Sequence, residues 1–322
     1  MSDLPKKISI KEEGPREGFQ YERGPISTAR KIELIDALSR TGLKSIATVS
    51  FVNPKRVPGM ADAEQVIAGI TPNPDVTYSA LALNDQGIER ALATKRVKVG
   101  GAILLVATDT FAIKNLNKNK AEQLAAQPSM IEMVTRHGLK IDTVGIMAAF
   151  GCNYEGIVAP QTVLDLIAEG IVVAKDNGVT IKRVSLADTM GHATPYHGKK
   201  LVGIVRDRYP DIEVVLHLHD TRGMGIANVF AGMEMGVTHF DASVAGLGGC
   251  PFASNAGAAG NVCTEDVVFM CDEIGIETGV SLDALIECAE LAEDIVGHPL
   301  PGSVMKGGSL KKLRAKMSAA AE

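Results

Sequence analysis

Two rhythms alternate along this chain. Short β-branched runs bounded by Gly, Asn or Pro are followed by longer stretches whose apolar residues recur at helical spacing. The runs predict strands at 8–10, 45–51, 76–83, 97–106, 143–149, 180–186, 214–220 and 237–244. The stretches predict helices at 28–39, 62–70, 85–94, 120–137, 161–177 and 195–208, then one after Asp220 and one at 265–274. Ser27 can cap the first helix, whose Ile32, Ile35 and Leu38 share a face. Pro160 opens the fifth, Gly178 stops it, and Asp220 stands where the N-cap of the seventh belongs. Residues between 106 and 120 read as a polar loop.

Eight strand–helix pairs in regular alternation predict an α/β fold, a (β/α)8 TIM barrel over about 8–275, in one domain spanning 1–322. A doubly wound open sheet would call for a Gly-rich dinucleotide turn after strand one, and Gly14-Pro15-Arg16 is not one. Residues from about 281 to 322 read as one or two extra helices packed on the barrel mouth or side.

Composition narrows the class. With 322 residues, 46% hydrophobic and 22% charged, the chain can bury one large core. A net charge of −5, with no basic run except 306–316, argues against a nucleic-acid partner. No apolar stretch approaches a membrane span, and 1–7 lacks an apolar signal core. Five cysteines without a CxxC pair suit a reducing, cytoplasmic setting.

Barrel enzymes gather their chemistry at the C-terminal ends of strands. There the chain places Arg16, Glu17 and Gln20, then Ser50 and Asn53, then Asp188-Thr189, then His217, His219 and Asp220, and finally Gly246 to Pro251 and Gly260-Asn261. His217 and His219, spaced i and i+2 on a strand, share one face. A carboxylate, two imidazoles and an amide oxygen describe an octahedral divalent site, Mg²⁺ or Mn²⁺, better than tetrahedral zinc.

Gly14-Pro15-Arg16-Glu17-Gly18-Phe19-Gln20, Ser50-Phe51-Val52-Asn53-Pro54-Lys55, Ser185-Leu186-Ala187-Asp188-Thr189, His217-Leu218-His219-Asp220-Thr221 and Ala245-Gly246-Leu247-Gly248-Gly249-Cys250-Pro251-Phe252-Ala253 resemble 3-hydroxy-3-methylglutaryl-CoA lyases. These belong to the metal-dependent TIM-barrel lyases and aldol- or Claisen-type synthases. The resemblance implies a metal held by Glu17, His217, His219 and Asn261. It implies that Arg16 polarises the thioester or keto oxygen, that Asp188 acts near the reacting hydroxyl, that His217 shuttles protons, and that Cys250 transfers a proton from a mobile loop containing Gly248 and Gly249. Gln20, Ser50, Asn53 and Arg56 are expected to contact substrate. The expected reaction cleaves a 3-hydroxy-3-methylacyl-CoA to acetyl-CoA and a keto acid, by default acetoacetate, in a homo-oligomer of two or more copies.

Several positions depart from the family pattern. Glu17 stands where the family has aspartate, and Ala47 where strand two carries a glutamate. Arg56 replaces an aromatic residue, and two extra residues separate Cys250 from Asn261, which leaves Asn255 as a rival ligand. Either Glu17 compensates for Ala47, or the departures mark another acyl group, such as citramalyl-CoA giving pyruvate. A synthase or aldolase working in the condensing direction and a non-catalytic CoA- or metal-binding barrel are the remaining alternatives. The synthases usually append a large regulatory domain, for which about fifty residues after the barrel leave no room. Cys152 is either a small buried residue or a functional one, while His192 and His197 fall near the mouth. The segment 306–312 reads as a solvated tail or as lysines facing CoA phosphates.

Overall fold

The computed structural model describes residues 4–22, 24–249 and 258–319. Eight strands run parallel: β1 (Ser9–Glu12), β2 (Ser45–Phe51), β3 (Thr77–Ala82), β4 (Lys98–Val99, then Gly101–Val106), β5 (Ile141–Met147), β6 (Arg183–Asp188), β7 (Glu213–Leu218) and β8 (His239–Ala242). The two segments of β4 flank Gly100. The first pairs with β3 and the second with β5, so one strand joins both ends of the order and closes the barrel. The strand predicted at 97–106 is therefore bent rather than continuous.

Period-two burial explains the layering. In β6 to β8, Val184, Leu186, Val214, Leu216, Leu218, Phe240 and Ala242 are buried against the helices. Their alternates, including Arg183, Glu213, His217, His239 and Asp241, turn toward the barrel axis. At the N-terminal end of the barrel, Glu213 pairs with Arg183 at 3.0 Å and with His239 at 3.1 Å.

The helices start where polar caps meet apolar faces. Ser27 accepts from the Arg30 amide ahead of the Thr28–Leu38 helix, and Asn84 from Gly87 ahead of Asp85–Ala93. Asn119 and Glu122 form a reciprocal box ahead of Lys120–Arg136.

Several expectations need correction. The presumed loop between 106 and 120 contains the helix Asp109–Leu116, which buries Phe111 and Ala112. Asp220 is not the N-cap of the next helix, Gly225–Glu234; the chain turns through Gly223 first, and Asp220 Oδ1 reaches ahead to accept from the Gly225 amide at 2.6 Å. Strands five, six and eight are offset from the predicted bounds: β5 begins two residues earlier, β6 runs on to Asp188, and β8 is confined to His239–Ala242.

Beyond the barrel lie three helices among the described residues, Leu282–Val296, Val304–Gly307 and Leu310–Ala319, rather than one or two. The basic segment is largely exposed, as the solvated reading expects, and folds into the last two of these helices with surface contacts. Lys306 donates to the Leu300 carbonyl, Lys312 lies 3.4 Å from Asp283, and Arg314 pairs with Glu273.

Candidate active site

The site starts where β1 stops. Gly14–Gly18 forms one wide π-helical turn, entered through Pro15 and anchored by the Glu17 amide donating to the Glu13 carbonyl at 2.8 Å. This turn lifts Arg16 and Glu17 over the barrel mouth. From β7, His217 Nε2 and His219 Nε2 stand 3.2 Å apart, and lie 3.7 and 3.6 Å from Glu17 Oε1. The three donors form the one possible metal-holding group of His, Cys, Asp and Glu among the described residues.

Asn261 completes the approach. It forms an isolated antiparallel bridge with His219, and its Oδ1 is buried without a hydrogen-bond partner. His219 Nδ1 is likewise buried and unpaired. A buried, unpaired amide oxygen beside a carboxylate and two imidazoles is what a divalent cation would satisfy, so the residues present fit one.

The electrostatics agree. Burial disfavours charge on His217, yet the Glu17 and Asp241 carboxylates outweigh it and raise its pKa to about 10. Asp241 Oδ2 lies 3.0 Å from His217 Nδ1, which leaves Nε2 presented to Glu17. Burial pushes the Glu17 carboxyl upward, but Arg16 and His217 overcome it and hold it well below the usual range. Arg16 lies 3.0 Å from Glu17 Oε2 and is also paired with Glu13. Two imidazoles and a guanidinium thus share one carboxylate, a balance that a cation among the ligands would reset.

The remaining expected residues divide. Ser50 Oγ donates to Gln20 Oε1 at 2.8 Å, tying β2 to the turn after Arg16. Asn53 and Arg56 sit on an exposed loop, where Asn53 Oδ1 accepts from the Lys55 amide. Asp188 is fully buried and spends its two oxygens on the His192 and Ala193 amides, with its pKa raised by burial. It registers with Leu218, one step from the Ala187–His217 pair, so it braces the turn beside the ligand triad rather than joining it.

Gly248, at φ +112°, lies flat on the Arg16–Gly18 turn: a Cβ there would come within 3.0 Å of Gly18 Cα. Gly260 packs equally closely on the Gly249 backbone. Cys250 and Asn255 lie outside the described residues.

His192 Nε2 is taken by Asn153 at 2.8 Å, and His197 is not part of the triad. The Cys152 thiol is buried and accepts from Thr108 and from the Tyr154 and Glu155 amides, so it organises the hairpin of Gly151–Cys152 and Gly156–Ile157.

Sequence reasoning passed over Glu13 and Asp241. Asp241 shares the axis-facing parity of His217 and registers beside it on β8. That signal was present in the period-two pattern but needed the strand bounds to be read.

Comparison with known proteins agrees with this geometry. The family model described as HMGL-like matches residues 7–292. A hydroxymethylglutaryl-CoA lyase of Bacillus subtilis is 38% identical over 304 residues, covering 92% of this chain and 96% of its own length. The human mitochondrial hydroxymethylglutaryl-CoA lyase is 39% identical over 289 residues, 89% of this chain and 85% of its own. The solved structure of an HMG-CoA lyase from Acinetobacter baumannii, in complex with coenzyme A and 3-methylmalate, superposes with a TM-score of 0.83 at 36% identity, covering 96% and 97% of the two chains. The mouth of this barrel and the sequence that builds it thus lead to one assignment: the chain belongs to the HMGL-like family.

Proposed function

We propose that this carbon–carbon lyase cleaves hydroxymethylglutaryl-CoA to acetyl-CoA and acetoacetate, with Mg²⁺ or Mn²⁺ held by Glu17, His217, His219 and Asn261. The observation that carries the reading is the convergence of Glu17 Oε1 with the Nε2 atoms of His217 and His219 directly beside the Arg16 guanidinium. Similarity to named hydroxymethylglutaryl-CoA lyases supports the substrate, as does the A. baumannii relative with its bound CoA and hydroxy diacid.

The reaction removes the proton of the tertiary hydroxyl and breaks the bond between C2 and C3. The bonding pair moves onto the thioester as an enolate, and C2 then takes a proton to become the methyl group of acetyl-CoA. A divalent cation held by Glu17, His217, His219 and Asn261 would supply the Lewis acidity that eases loss of the hydroxyl proton.

The chain supplies the rest. Arg16 stands ready for the thioester oxygen, where its fixed positive charge stabilises the enolate as it forms. With His217 Nε2 facing the metal donors, Nδ1 is the nitrogen left to hold a proton, and the Asp241 carboxylate 3.0 Å away steadies it there. The resemblance gives Cys250 a part in the proton transfer and Asp188 the place of an acid near the reacting hydroxyl. The Gly248-Gly249 backbone, packed on the Arg16 turn, excludes water from the enolate.

The test is a cleavage assay on Mg²⁺- or Mn²⁺-loaded protein with hydroxymethylglutaryl-CoA and both citramalyl-CoA enantiomers, reading acetyl-CoA and the keto acid. Acetoacetate as the main product supports the proposal. Pyruvate would move it to citramalyl-CoA, and no product from any of the three would overturn it. We further propose a homo-oligomer in a reducing compartment such as the cytoplasm, with size-exclusion light scattering as the check on assembly. Four buried free cysteines agree with that compartment, and no helix among the described residues is long and apolar enough to cross a membrane.

A further inference from the structure

Family resemblance puts a glutamate on strand two where this chain has Ala47, with Glu17 as the first candidate to compensate. The structure points elsewhere. Glu13 leaves β1 on its axis-facing side with its carboxylate only 1% exposed, although no metal donor set includes it. It pairs with Arg16 on one side and with Lys11 Nζ at 2.6 Å on the other. In the β1–β2 register Lys11 lies beside Ser45 and Glu12 beside Ile46, so the next step brings Glu13 alongside Ala47. Both residues follow the last pair of that register, and Ala47 offers Arg16 no carboxylate from strand two.

A carboxylate between two cations has a reason to be there. Arg16 also touches Glu17, but Glu17 belongs to the metal group. Were Glu17 its sole anion, an ion held through Oε1 would compete for the charge of the one carboxylate that the guanidinium holds through Oε2. Glu13 ends that competition, since it carries no other duty. Lys11 matters in turn, because an unpaired buried carboxylate is costly. Lys11 is itself held charged chiefly by Glu13.

We propose that Glu13, braced by Lys11, is the positioning residue that orients the Arg16 guanidinium, supplying from strand one the carboxylate that strand two lacks at Ala47. This rests on the role of Arg16 in the proposed reaction. Glu13 touches no reacting atom and acts only through Arg16.

The experiment compares Glu13→Gln, Glu13→Val and the double variant Glu13→Val/Ala47→Glu with the unchanged chain, reading kcat, KM, Mn²⁺ affinity and melting temperature. Orienting a charge that acts in the transition state predicts a kcat lowered by about 30- to 100-fold in the single variants, with KM within about threefold and Mn²⁺ affinity kept. Moving the carboxylate back to strand two should recover at least about tenfold of that loss.

A kcat within about twofold of the parent in Glu13→Gln would overturn the proposal. So would a loss that tracks melting temperature or Mn²⁺ affinity and is not rescued by Ala47→Glu, since either marks a merely structural carboxylate. Arg16 Nε–H exchange, followed by NMR on arginine-labelled protein, separates this from the substrate assignment. If the unchanged chain fails on hydroxymethylglutaryl-CoA, faster exchange in Glu13→Gln still supports the positioning role, and unchanged exchange overturns it.

Discussion

Glu12 and Glu13 are neighbours on one strand and are both buried, yet the barrel wall separates their fates. Glu12 points into the layer between barrel and helices, where it accepts from the Gly14 amide at 2.7 Å, the Val244 amide at 2.9 Å and Thr264 Oγ1 at 2.6 Å. No cation among the described residues pairs with it, and burial lifts its pKa to about 7. Glu13 points to the axis and is held by Lys11 and Arg16. Outside the wall, dipoles satisfy the carboxylate and stitch strand one to strand eight. Inside the wall, full charges satisfy it, and those charges are the ones that can act on a substrate. Burial alone therefore does not identify a functional acid; the kind of partner does.

This contrast predicts that inner-face changes cost activity while outer-face changes cost stability. The largest expected effect is Glu17→Ala. It removes the only carboxylate of the metal group, so turnover should fall by at least about 10³-fold and Mn²⁺ affinity by 10- to 100-fold, with the melting temperature nearly unchanged. Calorimetric titration with Mn²⁺ alongside the cleavage assay checks it, and a cold enzyme with intact metal affinity would contradict the ligand role.

Next comes Glu12→Ala, which orphans two buried amides and a hydroxyl. Urea unfolding should show a loss of about 3 kcal/mol, while kcat per folded molecule stays within a few-fold of the parent. Failure of activity before stability would erase the distinction between the two faces.

The third prediction concerns pH. Glu12, raised to about 7, and Glu265, raised to about 8, hold protons in the folded state that the unfolded chain releases near 4.5. Between those values the unfolded state binds fewer protons, so their contribution is complete below about 4.5 and is lost as pH climbs through 7 to 8. Glu12 alone accounts for a decline on the order of 3 kcal/mol, and Glu12→Gln should flatten that part of the curve. Urea midpoints at pH 5, 6, 7 and 8 measure it; equal slopes in parent and variant would show that Glu12 is not the titrating group. The smallest effect is expected at Arg56, whose exposed position predicts a KM change below about threefold in Arg56→Ala.

Much of this was legible beforehand. Eight apolar runs with helical stretches between them specify a (β/α)8 barrel because local periodicity reports directly which face of each element is buried. The His217–Leu218–His219 spacing alone put two imidazoles on one face, and they stand 3.2 Å apart at Nε2. Local pattern misled where partners were remote. The helix Asp109–Leu116 looks polar because few of its residues are buried, and Asp220 looks like a cap because only tertiary structure shows the chain turning before the helix begins.

What the sequence by itself determined, then, is the architecture and the types of donor at the strand ends, since strand and helix periods are short-range properties. Only the tertiary structure decided the pairings. Whether Asp241 reaches His217 depends on the register between β7 and β8, whereas the Glu13–Arg16 pair and the Asp188 bonds are local contacts, placed by the strands whose ends they follow. A shift of one residue in the β7–β8 register would send Asp241 to the opposite side of the wall from His217.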